Sequence, residues 1–402
     1  MSPTRSQQLT QTAGKPLRVA GLFAGIGGFE LGLSRAGHET VLLCEIDEGA
    51  RAVLGHQFPR VAAQHKDIRE LKRLPATVDL AVGGFPCQDL SQVGLTAGIG
   101  GANSGLVAEV WRLLATCRVP WVVLENVPFM LWLHGGRALK VIVRSLEGLG
   151  YRWAYRVVDT RSFGIPQRRQ RVFFVAALDG DPRRVLFADD TEPPDLDDLE
   201  DDTACGFYWT EGNHGIGWAV DAIPPLKGGS GVGIPSPPGI FLPPGDFVTP
   251  HLRDAERLQG FPAGWTRHAT AHARHRGLGH RWKLVGNAVS VPVAAWLGER
   301  LLRPGNYHPD EDRELQPSRW PRAAWGDGNG HRYAADVSAW PKRWKRKPLR
   351  DFLNEEPIPL AYKAAAGFLS RLEASTLRAH PRFLAALRKY VRLARASLPI
   401  RG

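Results

Sequence analysis

An α/β fold built on a mostly parallel sheet is what this sequence predicts, and three observations carry the expectation. Short apolar runs alternate with amphipathic stretches up to about Asp179, the pattern of repeated βαβ units. The run Val78-Asp79-Leu80-Ala81-Val82 leads into Gly83-Gly84-Phe85-Pro86-Cys87-Gln88, and Trp121-Val122-Val123-Leu124 leads into Glu125-Asn126-Val127. Each of these strands therefore delivers one reactive side chain at its C-terminal end, the edge where open α/β sheets hold their ligands. A thiol and a carboxylate meeting there are parts of a covalent catalyst.

The elements follow in order. Strands are expected over Arg18–Phe23, Thr40–Ile46, Asp79–Gly83, Trp121–Glu125, Arg156–Thr160 and Arg171–Leu178. The first runs into Ala24-Gly25-Ile26-Gly27-Gly28-Phe29-Glu30, where glycines let the backbone approach a cofactor closely at a helix start. This turn lacks the third glycine of the dinucleotide fingerprint, which counts against a nicotinamide oxidoreductase. The second strand ends at Cys44-Glu45-Ile46-Asp47, and Glu45 stands about 20 residues after the glycines, where an acidic side chain reaches ribose hydroxyls. Asp67, in His65-Lys66-Asp67-Ile68, is a candidate for an adenine edge. Ser104 is an expected N-cap for a helix to about Cys117, with Val107, Val110, Leu113 and Leu114 at helical spacing.

Cys87 alone would read as a buried small hydrophobe. Its glycine- and proline-fixed loop, with Gln88, Asp89 and Ser91 beside it, instead suits an accessible thiolate. Farther on, Gln167-Arg168-Arg169-Gln170-Arg171 runs into Val172-Phe173-Phe174-Val175. Strand alternation would place Arg169 and Arg171 on one face, a paired guanidinium display able to bind phosphate or a base carbonyl. The segment from about Gly180 to Phe247 is rich in Pro, Gly and Asp and is expected to be loop-dominated, a common make-up for a recognition element. Helical patterning resumes at Leu252–Gln259 and Val291–Leu302. The tail is irregular and Trp-rich at first, then carries Phe383, Leu384, Leu387, Tyr390, Val391 and Ala394 as an apolar stripe at helical spacing.

Composition bounds the function classes. The 402 residues are 43% hydrophobic and 23% charged, ordinary for a soluble globular protein of two or three domains. There is no apolar stretch of about 20 residues for a membrane span and no export signal core near Met1. Cys44, Cys87, Cys117 and Cys205 form no CxxC pair, which argues against disulfides and a metal site and fits a reducing cytoplasm. The net charge of +12 points to a polyanionic partner. From Arg303 onward there are 20 Lys and Arg against 10 Asp and Glu. Asp189 to Asp202 is an acidic run, expected to be a solvated loop directed away from any phosphate backbone.

Together these motifs resemble those of the C5-cytosine-specific DNA methyltransferases of bacterial or phage type, from about Val19 to Leu302. Leu22-Phe23-Ala24-Gly25-Ile26-Gly27-Gly28 resembles that family's S-adenosylmethionine loop. Gly84-Phe85-Pro86-Cys87-Gln88 resembles its nucleophile loop, Glu125-Asn126-Val127 its base-binding triplet and Gln167-Arg168-Arg169-Gln170-Arg171 its arginine motif. Arg257-Leu258-Gln259-Gly260-Phe261-Pro262 and Gly286-Asn287-Ala288-Val289 resemble its two C-terminal motifs. The chain departs from the family where Gly21 replaces a common acidic residue and Leu90 a common aromatic one.

The resemblance implies a Rossmann-like S-adenosylmethionine-dependent methyltransferase sheet, a smaller loop-rich target-recognition domain and a basic α-helical C-terminal extension. The implied boundaries are a disordered 1–15, a catalytic domain at 16–179, target recognition at 180–247, returning motifs at 248–303 and the extension at 304–402. It implies Cys87 as the nucleophile attacking cytosine C6, Glu125 at N3, and Arg171 with Arg169 on the O2 side, acting on a base flipped out of the duplex. Phe23, Gly25, Gly28, Glu45, Asp67, Pro86, Leu106, Asn287 and Val289 would line the S-adenosylmethionine pocket, without a metal. Double-stranded DNA is the implied partner, a cognate restriction endonuclease the implied companion, and a monomer the implied state. The competing readings are an RNA cytosine-5 methyltransferase and a catalytically inactive DNA-binding relative. Lys342-Arg343-Trp344-Lys345-Arg346-Lys347 mixes basic charge with an aromatic ring and is expected to contact DNA phosphate.

Overall fold

The computed structural model describes residues 14–85, 105–195, 201–211, 215–228, 237–270, 278–310, 312–316 and 320–397. Pro86, Cys87, Leu90 and Ser104 lie outside them. In chain order the first half contains β1 (Arg18–Leu22), α1 (Gly28–Arg35), β2 (Glu39–Cys44), α2 (Glu48–Gln57), β3 (Ala63–His65), β4 (Leu80–Gly84), α3 (Val107–Cys117), β5 (Trp121–Asn126), α4 (Arg137–Gly148), β6 (Arg152–Asp159), β7 (Gln170–Ala177) and α5 (Pro182–Leu186). The second half contains β8 (Cys205–Phe207), β9 (Ala219–Val220), β10 (Gly239–Leu242), β11 (Asp246–Thr249), α6 (Leu252–Leu258), α7 (Leu278–Asn287), α8 (Val291–Leu302), β12 (Arg313–Glu314), β13 (Ala323–Gly326), β14 (Arg332–Ala334), α9 (Leu349–Phe352), β15 (Ile358–Pro359), α10 (Tyr362–Glu373) and α11 (Pro381–Ala396).

The main sheet runs β12-β14-β13-β6-β7-β5-β4-β1-β2-β3. Strands β3, β2, β1, β4 and β5 are parallel, and β7 enters antiparallel between β5 and β6. Both faces are covered, as the nearly continuous apolar runs require. Leu22, Ala81, Val122 and Leu124 face α3 and α4, while Val19, Leu80, Val82 and Val123 face α1 and α8. Helices α1 and α8 lie close because Gly32 has no side chain; a Cβ there would sit 2.5 Å from that of Ala294.

A second, antiparallel sheet has the order β15-β11-β10-β8-β9. The stretch expected to be loop-dominated thus supplies most of a small sheet. One face of it, with Ile240 and Val248, packs toward α6, α7 and Ile26 of the glycine turn. The other presents Phe207, Phe241 and Phe247 to Phe368, Phe383 and Leu387 of α10 and α11.

The extension after Pro304 packs against both sheets. Strand β13 pairs with β6 and lengthens the main sheet, β15 closes one edge of the small sheet, and α10 with α11 completes its aromatic core. In the basic stretch Arg343, Lys345 and Lys347 are exposed, while the other members have partners. Lys342 pairs with Asp189 at 2.9 Å, Arg346 with Asp221 at 2.8 Å, and Trp344 lays its ring edge-on against Phe163. The acidic run is likewise more than a solvated loop at its start: Asp189 also accepts from Trp296 Nε1, and Asp190 pairs with the buried Arg156. Among the described residues no helix is long and apolar enough to cross a membrane.

Candidate active site

Four neighbouring strand ends converge. Leu22 of β1 lies in register with Cys44 of β2 and Gly83 of β4, and Gly84 with Glu125 of β5. The glycine turn, the Glu45 loop, the start of the Pro-Cys loop and the Glu125 triplet therefore leave the sheet side by side. Because β7 is antiparallel, its N-terminal residues arrive at the same edge, which brings Arg171 to Glu125. Arg171 Nε lies 3.0 Å from Glu125 Oε1. Burial raises the Glu125 pKa more than the Arg171 and Arg169 charges lower it.

Gly84 leaves room for that carboxyl, since a Cβ there would lie 3.2 Å from Glu125 Oε2. Asn126 holds the adjoining loop: its Nδ2 donates to Phe85 O at 3.1 Å, the last described residue before Pro86 and Cys87. Beyond β5, Phe129 and Trp132 are exposed aromatics. Such rings offer surfaces on which a base can stack.

Arg169 lies one residue before β7 and is buried, and burial pushes its guanidinium down to about 9. Its charge and that of Arg171 both reach Glu125. Arg169 Nη1 donates to Leu226 O at 3.1 Å, and its Nη2 to Gly286 O at 3.2 Å and Ala288 O at 2.9 Å. It thereby ties the recognition side and the Gly286–Val289 turn to the main sheet. Gln167 does similar work: Nε2 donates to Leu258 O at 2.6 Å while Oε1 accepts from Leu226 N at 2.9 Å. Sequence reading passed over Gln167 because a glutamine among arginines carries no signal of burial.

The glycine turn is strained where it leaves β1. Phe23 adopts φ +54°, a left-handed backbone that non-glycine residues hold only when the surroundings enforce it. Gly25 follows at φ +56°, with open space where a Cβ would be, and its N–H donates to Glu45 Oε2 at 2.7 Å. Glu45 Oε1 accepts from Asp47 N at 2.8 Å, and burial leaves its pKa raised. Next to it Ile46 is 53% exposed, an apolar face past the end of β2 that the sequence reading had placed inside the strand.

Val289 closes the other wall, touching both the Gly28 and Gly84 positions. Asn287, at the end of α7, is exposed and lies against Gly228. Leu106 caps α3 and packs partly into the core. Asp67 is ion-paired with Arg69, its carboxyl held down to about 2, so an adenine amino group would have to share it. No group of three or more His, Cys, Asp or Glu able to hold a metal occurs among the described residues.

The model of the family described as C-5 cytosine-specific DNA methylase matches residues 17–204. The chain is 47% identical over 364 residues to Type II methyltransferase M2.BsuMI of Bacillus subtilis, covering 88% of this chain and 93% of that protein. It is 35% identical over 176 residues to Type II methyltransferase M.BanI of Aneurinibacillus aneurinilyticus, covering 42% of this chain and 40% of that protein. A further relative, Type II methyltransferase M.Bsp6I of a Bacillus species, is 28% identical over 71% of this chain and 99% of its own length. The main sheet, the converging strand ends and these identities lead to one conclusion: the chain belongs to the C-5 cytosine-specific DNA methyltransferase family.

Proposed function

We propose that this enzyme methylates C5 of a cytosine flipped out of duplex DNA, with Cys87 as nucleophile, Glu125 and Arg171 as the ring-activating pair, and S-adenosylmethionine as donor. The observation that carries the reading is the buried Glu125 carboxyl, its pKa raised by burial, set against Arg171 on the strand next to the one that hands the chain to the Pro-Cys loop. Cytosine C5 is a poor nucleophile until something adds at C6. The Cys87 thiolate would form that C–S bond, and the ring π electrons would move toward N3 and O2. The Glu125 O–H would donate to N3, and Arg171 would stabilise the charge growing on O2. Once C5 has accepted the methyl group, transfer of the C5 proton to a base would re-form the C5–C6 double bond and expel Cys87 as its thiolate.

The pocket beside this edge suits the donor. Gly25 keeps a free concave face, Glu45 presents carboxyl oxygens able to accept from ribose hydroxyls, Ile46 offers an apolar plane for a purine, and Val289 forms the wall. Phe23, Gly28, Asp67, Pro86, Leu106 and Asn287 complete the proposed lining. When bound, S-adenosylmethionine supplies a methyl on a sulfonium for the carbon nucleophile that Cys87 creates. Arg169 is assigned a positioning role, since its N–H groups are spent on carbonyls from two returning segments.

The small sheet over Cys205–Thr249, backed by α10 and α11, is proposed to read the target sequence. The Type II names of the relatives support a role beside a cognate restriction endonuclease. Bisulfite sequencing of DNA from cells expressing the protein tests the reading. We expect methylated cytosine in one short motif for the wild type and none for Cys87→Ala; equal methylation in both would reject Cys87 as nucleophile.

A further inference from the structure

Glu30 is the third residue of α1, directly beyond the glycine turn, and is 1% exposed. A Cβ on Gly21 would sit 1.9 Å from Glu30 Oε1, so the carboxyl fills the space that any larger residue of β1 would take. Leu43 Cδ2 lines the same niche at 3.4 Å from that position. Neither carboxyl oxygen meets a donor from another residue among those described. The ionisable group whose charge reaches it is Glu45, itself acidic and bonded to Gly25 N. Among the described residues, the compensation for an anion here comes from Glu30's own backbone N–H, and a buried carboxylate so weakly compensated resolves by taking up a proton. Burial, reinforced by Glu45, pushes Glu30 up to about 8.

We propose that Glu30 is a positioning residue of the glycine turn whose carboxyl is neutral in the free enzyme and gives up its proton when the cationic methyl donor binds. The inference rests on the reading of this pocket as the S-adenosylmethionine site. The donor carries a sulfonium charge that its thioether product lacks, while both carry the same amino acid and nucleoside parts. A fixed positive charge beside the glycine turn favours the Glu30 carboxylate, and a neutral thioether does not. Binding of the donor therefore releases part of a proton from Glu30, and binding of the product releases less. The enzyme then prefers donor over product more strongly as pH rises through the titration of Glu30.

The test measures dissociation constants of S-adenosylmethionine and S-adenosylhomocysteine by calorimetry between about pH 6.5 and 9, for wild type and Glu30→Gln. In the wild type the product-to-donor ratio is expected to rise by up to about tenfold, the factor for a one-unit difference in pKa between the two complexes. In Glu30→Gln, which retains Glu45, the ratio should stay flat or follow only the ligands' own titration. Donor titrations of the wild type in buffers of different ionisation enthalpy should show proton release near pH 7.5, a readout that needs no variant. A flat wild-type ratio with no proton release, or the same rise in both proteins, overturns the role of Glu30. If the wild type binds neither ligand, the cofactor reading itself falls.

Discussion

Two sets of buried carboxylates in this protein are treated in opposite ways. On α6, Asp254 accepts from Arg257 and from the backbone N–H groups of Asn354 and Glu355. Glu256 accepts from Thr266 N at 2.8 Å, Thr266 Oγ1 at 2.5 Å, Gly264 N and Arg281. At the sheet edge, Glu30 has no donor from another residue among those described, and Glu125 has Arg171 yet still keeps a raised pKa. The first set holds segments together. The second is left short of compensation, where a reaction or a charged ligand can supply it. Incomplete pairing of a buried acid thus coincides with the proposed functional residues, and complete pairing with the joints of the architecture.

The largest effect that would break this contrast concerns architecture. Deleting the chain after Pro304 removes three strands from the main sheet and exposes the aromatic core of Phe207, Phe241 and Phe247, so no cooperative thermal transition should survive. A truncated protein that melts like the wild type would contradict the integrated tail. Glu256→Ala should cost about 3–5 kcal/mol in denaturant unfolding, because it strands Arg281 and several N–H groups. Glu125→Gln should behave in reverse, lowering kcat about 100-fold while leaving stability unchanged or slightly higher at neutral pH. A loss of stability matching that of Glu256→Ala would erase the distinction.

A smaller effect sharpens the comparison through pH. Glu30 is raised from 4.5 to about 8 on folding, so its contribution to stability is complete below 4.5 and is lost as pH climbs through 8. Wild-type stability should therefore decline by a few kcal/mol over that window relative to Glu30→Gln, measured by denaturant unfolding at each pH. Parallel curves would show that the carboxyl is ionised throughout. The smallest effect is expected at Lys342→Ala, where a partly exposed pair with Asp189 is lost and stability should change by less than about 1 kcal/mol.

The sheet edge was legible because its signals are local. The apolar runs ending at Leu22, Gly84 and Glu125 fix both the strands and the side on which their loops emerge. In the tail the apolar stripe of α11 was legible from its helical spacing, but the pairing of β13 was not, since it has four residues and finds β6 more than 160 positions away, with no local pattern to announce it. The burial of Arg169 was not legible, because the carbonyls it donates to, on Leu226, Gly286 and Ala288, lie 57 to 119 positions away. Glu30 escaped attention for a different reason. An acid in the first turn of a helix is what the helix dipole favours, so only the missing side chain of Gly21 reveals that this one is buried.

Covalent trapping tests the central claim most directly. A duplex carrying 5-fluorocytosine at the methylated position replaces the C5 proton with a group that cannot be removed, so Cys87 cannot depart once methyl transfer has occurred. With S-adenosylmethionine present, the wild type should form a denaturant-resistant adduct of protein and DNA, and Cys87→Ala should form none. Absence of the adduct from a wild-type enzyme that methylates the unmodified site would contradict the covalent mechanism.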